Sequence, residues 1–167
     1  MSVKPKPDGY HTITPAIICR GAAKAIDFYK RAFGAQEVER MNGPEGSVVH
    51  AEIRIGDSII MLGDENPQFG TKSPLSLGGT SSSLHIYVDD ADAVFARAVK
   101  EGATVRYPLE DTFWGDRYGK IRDPFGHEWG IATHIKDVSR EEMQKASDEW
   151  MARMSQQVSQ EREEVRA

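Results

Sequence analysis

The chain has 167 residues, of which 39% are hydrophobic and 28% charged, as expected for one globular domain or two half-domains sharing a core. Its net charge of -5, without a basic run in the sequence, argues against binding to nucleic acid or to an anionic membrane. No apolar run reaches the roughly 20 residues of a membrane span. The single cysteine, Cys19, excludes an intramolecular disulfide and a multi-cysteine zinc site. We therefore expect a cytoplasmic protein without nucleic-acid or membrane partners.

The first half of the chain predicts one unit of strand, helix and three strands. Residues 1–11, which carry two prolines and a glycine, are predicted to be a flexible lead-in, and residues 12–65 form the first βαβββ module. The helix is indicated by apolar residues at spacings of three and four, followed by Gly34. Its elements in chain order are a strand at TPAIICRG, a helix at AAKAIDFYKRAFGA, a strand at QEVERM and a strand pair at SVVHAEIRIGDSIIMLGDE.

The second half of the chain repeats this unit. Residues 66–81, rich in Pro, Gly, Ser and Thr, are predicted to be a linker or mobile loop, and residues 82–136 form a second module. The halves match at an offset of 68 residues, in pairs that include Ala25 with Ala93, Gly34 with Gly102, and Ile53 with Ile121. We predict an α+β fold in which two βαβββ repeats form a curved mixed sheet around a cavity. Each helix covers one face, and the other face lines the cavity or packs on the second repeat.

The tail, residues 137–167, has a different pattern and predicts a C-terminal helical extension. Ser139 and Glu142 have the spacing of a capping box at the start of a helix. An apolar stripe then follows one helical face, at Met143, Ala146, Trp150, Met154 and Val158. Two interpretations stay open: the helix packs on its own domain, or it packs on a partner subunit.

The order and spacing of several segments resemble the vicinal oxygen chelate superfamily, which includes glyoxalase I, bleomycin-resistance proteins, fosfomycin-resistance proteins and extradiol dioxygenases. The similarity is greatest to the PhnB-like branch. It rests on TPAIICRGAAKAIDFYKRAFGA, VVHAEIRIGDSIIMLGDE, HIYVDDADAV and TFWGDRYGKIRDPFGHEWGIATH, and covers residues 12 to about 140. The resemblance implies the repeated fold, a small-molecule ligand and a homodimer, whereas the activity depends on the site.

Metal-dependent members of that superfamily use four His, Glu or Gln ligands, two from each repeat. Carried over to this chain, the resemblance places those four slots at Thr14, Met61, Ser83 and Gly130. None of the four is a usual ligand of a hard divalent ion, so we expect no cofactor and no metal site at these positions. A register slip of two residues would bring His85 into the third slot, but one histidine does not make a site.

Two of the five histidines, His50 and His85, are candidate site residues. His50 alternates with Glu52 and Arg54 along one strand, and either lines the cavity or makes a structural hydrogen bond. His85 shares a face with Ser83 and is predicted to line the cavity. Of the others, His11 is expected in solvent, His127 at the DPFG turn, and His134 at the end of the last strand, where it is either structural or exposed. Cys19 is predicted to be a buried core residue.

An aromatic segment, FWGDRY at residues 113–118, is the richest candidate ligand site, because tryptophan and tyrosine beside a cavity stack on flat ligands. Asp116 and Arg117 are predicted to orient a polar part of the ligand. Trp114 is predicted at the rim of the pocket, and for Trp129 a place in the core is an equal alternative. The predicted ligand-binding set is Met61, Ser83, His85, Trp114, Arg117 and Trp129.

Two function hypotheses follow from these residues. In the first, the chain is a metal-independent protein that binds an aromatic or apolar small molecule without catalysing a reaction. In the second, it is an enzyme: a metal-dependent lyase, isomerase or oxygenase with displaced ligands, or a metal-free acid–base catalyst using His50 or His85. Convergence of two or more of His50, His85, Glu52 and Asp64 on one point would favour the enzyme.

Overall fold

The computed structural model describes residues 3–164, with side chains described as far as residue 156. The first repeat contains β1 (Ala16–Cys19), α1 (Ala22–Phe33), β2 (Gln36–Asn42), β3 (Val48–Ile55) and β4 (Ser58–Asp64), and a short helix α2 (Pro74–Leu77) follows it. The second repeat contains β5 (Ser83–Tyr87), α3 (Ala91–Lys100), β6 (Thr104–Asp111), β7 (Asp116–Arg122) and β8 (Glu128–His134), and the helix α4 (Arg140–Glu164) ends the described chain.

The two repeats form two four-stranded sheets of identical topology. The strand orders are β1-β4-β3-β2 and β5-β8-β7-β6, each with one parallel pair at the edge and two antiparallel pairs. The parallel pairs also have the same register. Ala16 lies beside Met61 in the first sheet and Ser83 beside Glu128 in the second, with the same separation along the chain in each pair. The prediction of an α+β fold built from two βαβββ repeats with a C-terminal helix is confirmed.

The first helix begins and ends where the sequence places its glycines. Gly21 and Gly34 flank α1 in the left-handed conformation, with φ of 90° and 70°. The carboxylate of Asp64 at the end of β4 accepts the backbone N–H groups of Gly21 and Ala22 at 2.8 and 2.7 Å, and the N–H of Val48 at 2.8 Å. Asp64 therefore fixes the start of α1 to two strands and has a structural role.

A shared core joins the two repeats. The aromatic ring of Trp129 on β8 is fully buried and packs 5.3 Å from Tyr29 and 4.7 Å from Phe33, both on α1. The carboxylate of Asp123 lies at the centre of this shared core and is 4% exposed. It accepts hydrogen bonds from the Tyr29 hydroxyl at 2.8 Å and from the Trp129 indole N–H at 2.9 Å. The other oxygen of Asp123 accepts the backbone N–H groups of Phe125 and His127 and so holds the β7–β8 turn.

Cys19 is fully buried beside this core, which confirms its predicted place. Burial, followed by the nearby charge of Asp123, raises the pKa of the Cys19 thiol to about 12, so the unreactive thiol form dominates at neutral pH. His127 extends beyond its predicted role at the turn: its Nε2 lies 3.0 Å from the carbonyl oxygen of Ile18 and 3.7 Å from Cys19 Sγ. Its side chain therefore connects the second repeat to β1 of the first.

The predicted linker at residues 66–81 contains regular structure. A 3₁₀ turn at Pro67–Phe69 precedes α2, and Ser73 at the start of α2 is fully buried. The carboxylate of Glu65 accepts both the backbone N–H and the hydroxyl of Ser73, at 3.0 and 2.7 Å. Because Gly, Pro and Ser also begin and end short helices, composition alone did not separate this ordered segment from a mobile one.

The C-terminal helix has the predicted capping box, since Ser139 N donates to Glu142 at 3.0 Å and Glu142 N donates to the Ser139 hydroxyl at 3.2 Å. Trp150 lies 6.3 Å from Phe113 of its own domain. Large apolar side chains on α4 remain 38–58% exposed, namely Met143, Trp150, Met151 and Met154. The predicted stripe residue Val158 lies outside the described side chains. No helix in the described part of the chain is both long and apolar enough to cross a bilayer.

Candidate functional site

The second sheet has one face covered by helices and one that they leave uncovered. Along β8, Trp129 and Ile131 are buried toward the helices, so the alternate residues face the other way. The same alternation applies to β5 and β7, whose partners are fixed by the register. We call this second surface the open face; its residues are Ser83, His85, Tyr87, Tyr118, Lys120, Arg122, Glu128, Gly130 and Ala132.

Aromatic rings cluster at the middle of the open face. The imidazole of His85 stacks on Tyr118 with ring centroids 5.7 Å apart and planes 7° apart, and it lies 4.7 Å from the Tyr87 ring. Trp114 approaches Tyr118 edge to face at 5.7 Å. Burial lowers the pKa of His85, which favours the neutral imidazole at pH 7 and a ring that stacks without a charge. Tyr87 is 65% exposed, so part of this cluster is available to a ligand.

Gly130 lies beneath the stack and explains its position. A Cβ atom at Gly130 would lie 2.8 Å from His85 Nδ1, closer than real Cβ contacts, and 3.0 Å from the Tyr118 ring, tighter than most of them. The rings of His85 and Tyr118 therefore occupy the space that a side chain at this family metal slot would fill. The absence of a side chain at Gly130 is what permits the aromatic stack.

The carboxylate of Asp116 holds the cluster in place. Asp116 is 3% exposed, and one oxygen accepts the Tyr87 hydroxyl and the Trp114 indole N–H, both at 3.1 Å. The other oxygen lies 2.8 Å from His134 Nδ1, and His134 Nε2 lies 3.1 Å from Asp137. Sequence reasoning gave Asp116 a ligand-orienting role and left His134 out of the site. The alternation of Asp116 with Tyr118 along β7 was the signal that could have placed Asp116 beneath the ring cluster.

The Asp116–His134–Asp137 contact predicts a pH-dependent contribution to stability. Hydrogen bonds to Asp116, and then to Asp137, raise the pKa of His134 above its usual value of about 6.5. A raised pKa in the folded state means that the contribution is complete below the unfolded-state pKa and is lost as pH rises through the folded-state pKa. An NMR titration of the His134 ring should therefore give a pKa above that of a free histidine, and Asp137→Asn should lower it. A His134 pKa at or below the free value would contradict this contact.

Three residues of the predicted ligand-binding set do not lie on the open face. Met61 is on β4 of the first sheet. Arg117 alternates with Asp116 and Tyr118, and its guanidinium pairs with Asp92 of α3 at 2.7 Å and with Asp111 at 3.2 Å. Trp129 is the fully buried core residue described above, which was one of its two predicted alternatives. The assignment of Arg117 followed from its closeness in sequence to Asp116 and Tyr118, whereas alternation along a strand sends neighbours to opposite faces. His85 and Trp114 do belong to the aromatic cluster, and Ser83 lies at one end of the open face.

The first sheet carries its own polar group. Glu52 is 6% exposed, its carboxylate accepts the Tyr10 hydroxyl, and its other oxygen lies 3.3 Å from His50 Nε2. Tyr10 belongs to the predicted flexible lead-in, so this segment contacts β3 of the first sheet. The structure thus pairs His50 with Glu52, whereas His85 is in the cluster of the other sheet and Asp64 is a cap. Among His50, His85, Glu52 and Asp64, only His50 and Glu52 are therefore in contact.

The register also locates the four family metal slots. Met61 on β4 lies beside Ala16 on β1, and Gly130 on β8 lies beside His85 on β5. Thr14 precedes β1 and donates its hydroxyl to the carbonyl of His11 at 3.0 Å, and Ser83 begins β5. Among the residues that the structure describes, no three His, Cys, Asp or Glu side chains are grouped to hold a metal ion. Independence from metal stays a prediction.

A groove of about 930 Å³ lies between the two repeats, beside the edge strand β5. Its walls come from the β3–β4 turn, from β5 and from the start of α3, and they include Ile59, Leu84 and Asp89. His85 and Tyr87 line both this groove and the open face, so the two surfaces are continuous. Of the predicted ligand-binding set, the groove contains His85 and, at its floor, Trp129.

The fold and the site define a protein of duplicated βαβββ architecture with an aromatic sheet surface. Residues 11–131 match the Glyoxalase/Bleomycin resistance protein/Dioxygenase superfamily. The chain belongs to this superfamily, which confirms the resemblance found in the sequence. It is 47% identical over 137 residues to the uncharacterized protein Rv0887c of Mycobacterium tuberculosis, a match that covers 80% of this chain and 81% of that protein.

Solved structures show the same architecture. TioX from Micromonospora sp. ML1 superposes with a TM-score of 0.58 at 27% identity, over 75% of this chain and 99% of that one. A PhnB protein from Bacillus cereus, described as a putative 3-demethylubiquinone-9 3-methyltransferase, superposes with a TM-score of 0.58 at 23% identity. That match covers 74% of this chain and 99% of the other. At this level of identity the second likeness shows the fold alone.

Proposed function

We propose that this chain is a metal-independent small-molecule-binding protein that holds an aromatic or apolar ligand on the open face. The carrying observation is the ring cluster of His85, Tyr118, Trp114 and Tyr87, which is anchored by a buried carboxylate and partly exposed. Exposed rings that are held in position stack on a flat ligand at a small entropic cost. The cluster also fills the space above Gly130, one of the four slots of metal-dependent relatives.

The test is a titration of 4-(trifluoromethyl)cinnamyl alcohol, an uncharged planar probe, followed by the fluorine NMR signal. We expect saturable binding that EDTA does not change, and Trp114→Leu should weaken it about three- to tenfold because a ring contact contributes roughly 0.5–1.5 kcal/mol. The matched control is Phe69→Leu, since the Phe69 ring is 80% exposed and lies outside the cluster. Equal loss in both variants, or binding that requires added metal, would contradict the proposal.

We also propose that the protein acts as a homodimer. The support is the set of large apolar side chains left exposed on α4. Apolar patches of this kind commonly mark contacts between subunits. Light scattering during gel filtration should then give twice the chain mass of 18.6 kDa.

A second candidate function is metal-free acid–base catalysis, and the contact between His50 and Glu52 is the observation that favours it. A carboxylate within 3.3 Å of the imidazole can hold the ring in one orientation, as a general base requires. His85, whose neutral form is favoured, is the other candidate base. The test is whether the protein exchanges the α-protons of α-hydroxyketone probes for deuterium in deuterated water. Loss of this exchange in His50→Gln, in a variant that still binds the alcohol probe, would support catalysis over simple binding.

A further inference from the structure

Three basic side chains converge at the end of the open face that lies away from Asp116. Glu128 on β8 is surrounded by Lys120 Nζ at 2.8 Å, Arg122 Nη2 at 2.8 Å and Arg106 Nε at 3.8 Å. The sequence does not show this cluster, because the three residues alternate with apolar ones and come from two strands. It forms only when β6, β7 and β8 pair.

The cluster holds more positive charge than Glu128 neutralises. Three cations face one carboxylate, and hydrogen bonds from Lys120 and then Arg122 lower the pKa of Glu128, so its single negative charge is present at neutral pH. The other carboxylate of this region, Glu110, accepts the Tyr107 hydroxyl and pairs in register with Tyr118, nearer the rings. A local excess of positive charge in a chain of net charge -5 attracts anions.

The cluster is partly exposed. Arg122 donates to Glu128 from one Nη, whereas its Nε is buried and has no hydrogen-bond partner among the described residues. The side chains of Lys120, Arg122 and Arg106 are 32%, 39% and 48% exposed, so a ligand in solution can reach them. Partly exposed ion pairs of this kind contribute little to stability, so folding alone gives no reason to gather three cations here.

The position of the cluster relates it to the rings. Tyr118, Lys120 and Arg122 follow one another on the same side of β7, and successive members are about 7 Å apart along the strand. Gly130 pairs with both Lys120 and His85, so no side chain of β8 separates the ring stack from the lysine. A planar ligand stacked on the cluster of His85 and Tyr118 would therefore direct a substituent toward Lys120 and Arg122.

We infer that Arg106, Lys120 and Arg122 form an anion-binding subsite, and that the ligand of the open face is an aromatic compound carrying a carboxylate, phosphate or similar oxyanion. This inference deepens the proposed function and rests on it for the aromatic part of the ligand. Guanidinium and ammonium groups bind oxyanions through charge-assisted hydrogen bonds, which are stronger than neutral ones. Glu128 keeps the three cations close together when the ligand is absent.

The experiment compares 4-(trifluoromethyl)cinnamate with 4-(trifluoromethyl)cinnamyl alcohol, which share a ring and differ in charge. By fluorine NMR titration we expect the carboxylate to bind about tenfold more tightly at low salt, with the preference reduced by added NaCl. Lys120→Met combined with Arg122→Gln should abolish the preference and leave alcohol binding within about twofold. Arg122→Gln alone provides a milder variant if the double variant does not fold. Glu128→Gln, which leaves all three cations, is the matched control and should tighten carboxylate binding.

The outcomes separate this inference from the proposed function. Three results overturn the anion subsite and leave the binding function standing. The first is equal affinity for the two probes. The others are a carboxylate preference that survives in the Lys120→Met, Arg122→Gln double variant, or one that Glu128→Gln weakens. If the alcohol does not bind, the proposed function fails. In that case inorganic phosphate is the probe, and the readout is the NMR shift of the Lys120 and Arg122 amide signals. Shifts in the unchanged protein that are absent from the double variant still support the subsite. Absence of such shifts with both phosphate and the carboxylate overturns it.

Discussion

Asp123→Ala is expected to lower the free energy of unfolding by about 3–5 kcal/mol, because it removes the acceptor of four hydrogen bonds in a buried site. The Tyr29 hydroxyl and the Trp129 indole N–H would remain buried without a partner, each at a cost of roughly 1–3 kcal/mol. For a chain of this length, the midpoint of thermal unfolding should fall by about 2–4 °C for each kcal/mol. Urea unfolding followed by tryptophan fluorescence, together with calorimetry, measures both quantities.

Two further variants make this result specific to the Asp123 network. Tyr29→Phe removes one donor and keeps the ring in the core, so it should cost only about 1 kcal/mol. Asp148→Asn is the matched control, because Asp148 is exposed on α4 and accepts a hydrogen bond from the exposed Gln144. If Asp123→Ala were no more destabilising than Asp148→Asn, Asp123 would not join the two repeats as the structure describes.

The fold could be predicted from the sequence because its signals repeat. The match of Gly34 with Gly102, and of Ile53 with Ile121, marks equivalent positions of two modules, and the structure gives both modules the same strand order. The sequence could not show how the modules contact one another. Tyr29 and Asp123 are 94 residues apart, and no local pattern predicts a hydrogen bond between their side chains.

The candidate site was predictable only in part, for a similar reason. Strand alternation predicted that Ser83 and His85 share a face, and the register of β5 agrees. Trp114 as a ligand residue stays a prediction. Arg117 was assigned to the ligand from its place beside Asp116 and Tyr118 in the sequence, whereas the pleat turns it toward α3. The cations around Glu128 were missed because they come together only through the register of β6, β7 and β8.

Asp116→Ala is expected to affect both ligand binding and stability, since one buried carboxylate orients the rings of the open face. Without it, Tyr87 and Trp114 lose the acceptor that fixes them, and His134 loses its shorter contact. Ordering two freed rings on binding costs about 0.5–1.5 kcal/mol for each, so affinity for the uncharged alcohol should fall about tenfold. The free energy of unfolding should fall by about 1–2 kcal/mol, because two hydrogen bonds are lost and the exposed Tyr87 hydroxyl can bond to water instead.

Asp116→Asn tests which part of this effect depends on charge. Its amide oxygen still accepts from Tyr87 and Trp114, so affinity for the alcohol should stay within about threefold of the unchanged protein. The His134 pKa should fall in both variants, because the negative charge that favours the protonated ring is lost. Asp111→Ala is the matched control, since Asp111 pairs with Arg117 away from the rings. Unchanged alcohol affinity in Asp116→Ala would mean that the ligand does not contact the rings that Asp116 positions, and the site would then have to be sought in the groove between the repeats.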